Sequence, residues 1–189
     1  MLWQFLKTTL LVAAVGAHAS LGEASSVGDR LPFKSVSGNV TLEQLDTIMS
    51  LVSIAENSKV EWWTNYDYCE DIGDGRGYTM SLVGFCSGTS DLLGVVRDVA
   101  KAKASHRIAQ FVKPLQAVDG TPSHKGLGSL CSTIHSNNDA TWKAAVWGGI
   151  RREYWDPATN WAAKHGLTSA LSKGFLFDVA LNHGAEVVD

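Results

Sequence analysis

The run YCEDIGDGRGYT, residues 68–79, sets three glycines among four charged side chains. It is too polar for a buried strand and too rich in glycine for a helix. The short apolar segment after it, Met80 to Phe85, reads as a strand, and only the region around 72–88 has the makings of β structure. Outward from this run the apolar residues recur at helical spacing. The fold class expected is therefore mainly α with a small β element near residues 72–88.

Upstream, Thr41 stands three residues before Gln44 as a capping box, and Leu42, Leu45, Ile48, Val52 and Ala55 follow on one helical stripe that ends near Glu56-Asn57-Ser58. Trp62, Trp63, Tyr66 and Tyr68 form an aromatic cluster, of which at least two belong in a core. Downstream, Ser90 or Asp91 caps a helix with Leu92, Leu93, Val95, Val96 and Val99 facing in. Ile108, Phe111, Val112 and Leu115 mark another, stopped around Pro114 to Gly120. Residues 118–138 read as a long polar loop. Asp139 caps a helix carrying Trp142, Ala145, Val146 and Ile150. Thr168 caps the last one, whose Leu171, Phe175, Val179 and His183 share a face. No internal repeat is present.

At the N-terminus, Lys7 precedes an apolar run from Thr8 to Ala17, and Ala17-His18-Ala19 offers small residues to a signal peptidase. The run is too short to span a bilayer. Residues 1–19 are read as a secretory leader, 20–40 as a Ser- and Gly-rich linker or pro-segment, and 41–189 as one catalytic-type domain. The protein is expected outside the cell, with no membrane contact after cleavage. Without the leader the charge is 15 − 19 = −4, counting histidines neutral. That balance argues against nucleic acid as a partner. Three cysteines, Cys69, Cys86 and Cys131, allow one disulfide and a free thiol, or a missing partner. No spacing suggests zinc, and no metal or cofactor is expected. Asn39-Val40-Thr41 is a glycosylation sequon.

The glycines at 73, 75 and 77 do not fit a dinucleotide or phosphate loop, and the acids around them lack the ladder of a calcium loop. Two carboxylates in contrasting settings remain. Glu56 ends an amphipathic helix beside Ile54 and Ala55, where partial burial would favour the protonated form a general acid needs. Asp74 lies between two glycines, free to present an ionised carboxylate to water. One neutral and one ionised carboxyl is the requirement for glycoside hydrolysis. Spacing alone is equally compatible with a solvated helix end and a turn aspartate. Cys86 reads as a small buried hydrophobe and not as a nucleophile.

The stretch AENSKVEWWTNYDYCEDIGDGRGYTMSLVGFCSGTSD, residues 55–91, closely resembles the catalytic signature of glycoside hydrolase family 46 chitosanases. Weaker matches follow at His124-Lys125-Gly126-Leu127-Gly128, at Tyr154-Trp155-Asp156-Pro157-Ala158 and at His183-Gly184. The resemblance implies a lysozyme-like fold of two mostly helical lobes around a cleft. It implies Glu56 as general acid, Asp74 as general base of an inverting mechanism, and Thr79 as a holder of the attacking water. Arg76 would orient the carboxylates and contact substrate, while Ser58, Tyr68, Thr89 and Asp91 would line sugar subsites. The resemblance implies a secreted endo-chitosanase cutting β-1,4 glucosamine linkages. A non-catalytic carbohydrate-binding homologue and a lysozyme-type hydrolase of another amino-sugar polymer are the alternatives.

The charge pattern agrees with a polycationic polysaccharide as partner. Asp67, Glu70, Asp71 and Asp74 place four carboxylates in eight residues, and Asp91 adds a fifth. The family's pattern runs on past His183-Gly184, whereas this sequence ends at Asp189. The expectation drawn from this is an incomplete second lobe, with Asp156 among its interlobe acids. An exposed apolar face on the last helix and weak activity of the chain alone follow from that expectation. The full-length protein is expected to be a monomer.

Overall fold

The computed structural model describes residues 26–188, so the expected leader lies outside the described residues. Helix α1 (Val27–Arg30) is followed by α2 (Leu42–Asn57), which begins as its capping box requires. The Thr41 hydroxyl accepts from Gln44 N at 3.2 Å, and the Gln44 side chain accepts from Thr41 N at 2.9 Å. A cap of this kind stabilises by about 1 kcal/mol. Leu45, Ile48, Met49 and Val52 turn inward, and the helix stops where Ser58 adopts φ 55°.

Residues 26–40 are not a loose linker. Leu31 is buried, Arg30 Nη1 donates to both Asp46 oxygens at 3.1 and 2.9 Å, and its guanidinium lies 3.6 Å from the centre of the Trp63 ring. Phe33 meets Trp147 edge-on at 5.2 Å, and Trp155 Nε1 donates to Ser37 O at 3.1 Å. A few anchors among many serines and glycines fix the segment, and average composition conceals them.

The aromatic cluster divides as expected. Trp62 and Tyr66 are buried, whereas Trp63 is half-buried. Tyr66 ties three elements together: its hydroxyl donates to Arg30 O and accepts from Trp147 Nε1 at 2.6 Å, and its carbonyl accepts from Trp142 Nε1 at 2.7 Å. Buried indole and phenol groups of this kind need such partners.

The sheet has three antiparallel strands in the order β1 (Cys69–Asp71), β2 (Tyr78–Met80), β3 (Phe85–Cys86). Of the strand expected over Met80 to Phe85 only the ends are strand, Met80 in β2 and Phe85 in β3; residues 81–84 form the turn between them, with Ser81 and Gly84 at positive φ. Residues in that conformation cannot extend a strand.

Helix α3 (Asp91–Ala102) buries the five expected aliphatic side chains. A 3-10 turn at Arg107–Phe111 leads into α4 (Val112–Val118), whose first turn accommodates Pro114 and whose end at Val118 falls within the expected range 114–120. The expected 118–138 loop contains α5 (Leu130–Ser136), which buries Leu130 and Ile134 and is bonded to β1 by the Cys69–Cys131 disulfide. Closing a loop of 62 residues in this way is worth about 4 kcal/mol in the chain-entropy account. Cys86 is free and buried.

Asp139 caps α6 (Ala140–Ile150) by accepting from the Thr141 and Trp142 amides. Helices α3 and α6 pack closely at Gly149, where a Cβ would come within 2.7 Å of Val95 and 2.9 Å of Phe85. A π-helical turn, Arg151–Trp155, joins α6 to α7 (Asp156–Lys164), which the apolar pattern did not announce.

Helix α8 (Ala170–His183) is capped by Ser169, one residue past the expected Thr168. It turns Lys173, Phe177 and Ala180 inward, leaving Leu171 at 72% and Phe175 at 59% exposure. Leu171 and Phe175 thus lie on an exposed apolar face, as expected of this helix, while Phe177 and Ala180 supply its buried side. Apolar residues surround this helix, so their spacing selects no side. Lys173 stays buried because its ammonium donates to Thr168 O at 2.7 Å.

Candidate active site

The β1–β2 connection, residues 72–77, carries Asp74 and Arg76. Gly73, Gly75 and Gly77 all have positive φ, the conformation that lets six residues reverse the chain. A Cβ at Gly77 would strike Ser87 Oγ at 2.2 Å, so this glycine is also required by the neighbouring strand end.

Asp74 and Arg76 form one closed unit. Arg76 N donates to Asp74 Oδ1 at 3.0 Å, Nε donates to Oδ2 at 2.7 Å, and Nη2 approaches Oδ2 at 2.6 Å. The Arg76 guanidinium holds the Asp74 carboxyl below the usual carboxylate range, and the pair is largely solvent-facing. This is the ionised, water-facing carboxylate expected at position 74.

Glu56 occupies the last turn of α2 and is exposed, as is its neighbour Ile54. The partial burial expected for it is not found among the described residues. Ser58, the left-handed residue that ends α2, is also exposed.

Thr79 is buried in β2, opposite Glu70 on one side and Cys86 on the other, with its hydroxyl 3.7 Å from Cys86 Sγ. Burial raises the Cys86 thiol above its usual range. Tyr68 donates to Glu70 Oε2 at 3.1 Å. Asp91 Oδ1 accepts from Cys86 N at 3.0 Å, Thr89 Oγ1 at 2.8 Å and Leu92 N at 2.8 Å. Asp91 and Thr89 thus build the turn between β3 and α3. Burial outweighs these bonds and raises the Asp91 carboxyl.

The acidic run is less free than its sequence implies. Asp67 lies 3.3 Å from His135 Nδ1 and Asp71 lies 3.5 Å from His124 Nε2. With Asp74 held by Arg76, Glu70 is the acid of this run with neither an arginine nor a histidine beside it among these contacts. The residues that pair with Asp67 and Asp71 are 68 and 53 positions away, so nothing in the local pattern exposes them. Tyr154, read only as part of a short motif, lies within electrostatic reach of Asp91 and Arg76; burial, then Asp91, pushes its hydroxyl up to about 12. Asp156 accepts from the Ser37 hydroxyl and lies 3.7 Å from Arg151 Nε, fastening residue 37 to the start of α7.

A concavity of about 520 Å³ lies between α3 and α6 and is lined by Asp98, Lys103, Thr141 and small residues. None of the candidate site residues lines it.

The chain is thus a mainly helical domain with a three-stranded sheet whose first connection carries Asp74 and Arg76. The family model for glycosyl hydrolase family 46 matches residues 50–189, and the chain belongs to that family. A chitosanase of Nocardioides sp. (strain N106) is 40% identical over 141 residues, which are 74% of this chain and 50% of that protein. A chitosanase of Streptomyces sp. (strain N174) is 35% identical over 181 residues, 95% of this chain and 62% of that protein. The chain therefore spans about half to three-fifths of the length of these relatives. Among solved structures, chitosanase OU01 with substrate superimposes with a TM-score of 0.71 at 40% identity, covering 75% of this chain and 60% of that one. The Gynuella sunshinyii enzyme GsCsn46A with chitotetraose gives 0.69 at 26% identity, covering 77% and 60%. The fold is the lysozyme-like one of these structures.

Proposed function

We propose that this chain carries the acid–base pair of a secreted, inverting endo-chitosanase. The relatives are chitosanases, and two of the similar structures hold substrate or chitotetraose. The observation that carries the reading is the Asp74–Arg76 unit, an ionised carboxylate displayed to solvent on a rigidly turned loop.

In this reading Asp74 takes a proton from water as that water attacks the anomeric carbon. Glu56 gives its proton to the departing glycosidic oxygen, so the bond breaks without a covalent intermediate. The Thr79 hydroxyl orients the water, and Arg76 keeps the base ionised until the proton arrives. Glucosamine amines, charged at mildly acidic pH, are drawn towards Glu70 and the partly compensated acids beside it. Ser58, Tyr68, Thr89 and Asp91 contribute to sugar subsites. The exposure of Glu56 favours, as a second reading, binding without turnover.

The test is release of reducing ends from chitosan by the wild type, Glu56→Gln and Asp74→Asn. Each substitution should lower turnover by about 10²-fold or more, the scale of positioned proton transfer, while leaving chitosan binding intact. An inactive wild type that still binds chitosan would establish the second reading. Near-normal turnover in either variant would remove that residue from the mechanism.

A further inference from the structure

The loop that carries Asp74 receives little support from above. A side chain added at Gly73 or Gly75 would meet nothing within 4 Å, so the loop's position is set by its base and flank. The base is the register pair Asp71 and Tyr78. His124 touches both members. Its ring stacks on Tyr78 with centroids 4.1 Å apart and planes 17° apart, and its Nε2 faces Asp71 Oδ2 at 3.5 Å. That nitrogen is shielded from solvent and has no hydrogen-bond partner among the described residues, which leaves Asp71 as the group it addresses.

Asp71 passes the contact into the loop: its other oxygen, Oδ1, accepts from Gly73 N at 2.8 Å, next to Asp74. The segment leading to His124 secures the flank. Gly88 N donates to Arg76 O at 3.0 Å, Gly120 N donates to Gly88 O at 3.1 Å, and Ser90 Oγ donates to both Asp119 oxygens at 2.9 and 2.8 Å. A Cβ at Gly88 would come within 2.3 Å of Thr121 O, so the two segments are in direct contact. Residues 119–124 therefore grip the loop at its base and side.

We propose that His124 is a positioning residue for Asp74, acting through Asp71 and Tyr78 to fix where the base carboxylate points. The catalytic part rests on the chitosanase reading above; the mechanical part does not. A base displaced by an ångström loses up to about 10²-fold in rate.

The experiment compares wild type, His124→Ala, His124→Phe and Asp71→Asn. Two readouts are used: kcat and KM on chitosan, and hydrogen exchange of the Gly73, Arg76 and Tyr78 amides against those of Val95 and Val99 in α3. His124→Ala should accelerate exchange at all three loop amides by about tenfold, leave Val95 and Val99 unchanged, and lower kcat by about ten- to a hundredfold with KM within about twofold. His124→Phe keeps the stack, so it should restore Tyr78 protection while Gly73 remains fast. Asp71→Asn should reproduce the Gly73 effect, and adding His124→Phe to it should change Gly73 no further. Unchanged loop exchange, acceleration that extends equally through α3, or a rise in KM alone would overturn the proposal. If the wild type does not turn over chitosan, the hydrolase reading fails and the exchange pattern still decides whether His124 holds the loop. Should His124→Ala fail to fold, the His124→Phe and Asp71→Asn pair decides it by the same criterion.

Discussion

Arg76 and Asp74 stand two residues apart and hold each other at both ends: a backbone amide on Oδ1 and a guanidinium on Oδ2. The loop thereby fixes the carboxylate's direction and its charge together. In the proposed mechanism the base must be ionised to act, so the same contact should set the acidic limit of activity.

Arg76 lowers the Asp74 carboxyl, so its removal lets that carboxyl rise towards the ordinary aspartate value of about 3.9. In Arg76→Gln the base is protonated at a higher pH than in the wild type. The acid limb of the kcat/KM profile should accordingly move to higher pH, with a loss of rate at every pH from the loosened loop. An acid limb that stays in place would show that Arg76 does not set the charge of the base.

Inversion has a direct signature. If Asp74 activates water, the two carboxyl groups in the substrate complex stand about 6.5–9.5 Å apart, and the first-formed product is the α anomer. Proton NMR of freshly released oligomers reads the anomer before mutarotation. A β product at early times would make Asp74 a nucleophile or exclude it.

Binding should weaken with salt, since exposed charges are screened beyond about 10 Å at 0.1 M ionic strength. Asp67 lies beside His135, whereas Glu70 faces solvent and accepts from the Tyr68 hydroxyl. Glu70→Gln should therefore lower chitosan affinity and its salt dependence more than Asp67→Asn does. Isothermal titration at two ionic strengths distinguishes them; equal effects would mean that net charge alone governs attraction.

The two faces of α8 should respond oppositely to substitution. Phe177 is fully buried and meets Trp155 edge-on at 5.4 Å, so Phe177→Ala should cost about 3–5 kcal/mol. Phe175 is 59% exposed, and Phe175→Gln should change stability by no more than about 0.5 kcal/mol while reducing any self-association through the Leu171–Phe175 patch. Urea unfolding and light scattering read both. A large loss from Phe175→Gln would place that face in contact with something the present interior does not include.

Several features were legible because their causes are local. The α2 cap needs only Thr41 and Gln44 three residues apart, and α3 needs only an apolar stripe with polar residues opposite. The glycine pattern at 73, 75 and 77 required a tight reversal, and Asp74 within it was bound to face solvent. The motif match over residues 55–91 pointed to the family, whose model matches residues 50–189.

Tertiary structure decided the rest, wherever a residue's partner is far along the chain. Helix α5 forms inside a polar stretch because Leu130 and Ile134 find a core and Cys131 finds Cys69, none of which a local window contains. Residues 26–40 are fixed by Arg30, Phe33 and Ser37 through contacts with Asp46, Trp147 and Trp155. The inner side of α8 is set by which surface is offered to it, because its own apolar residues point in every direction. The acids at 67 and 71 read as free charge until the fold brings His135 and His124 to them. Hydrogen-bonding propensity and periodicity act within a few residues and are written in the sequence. Burial and ion pairing depend on distances through space, which exist only once the chain has folded.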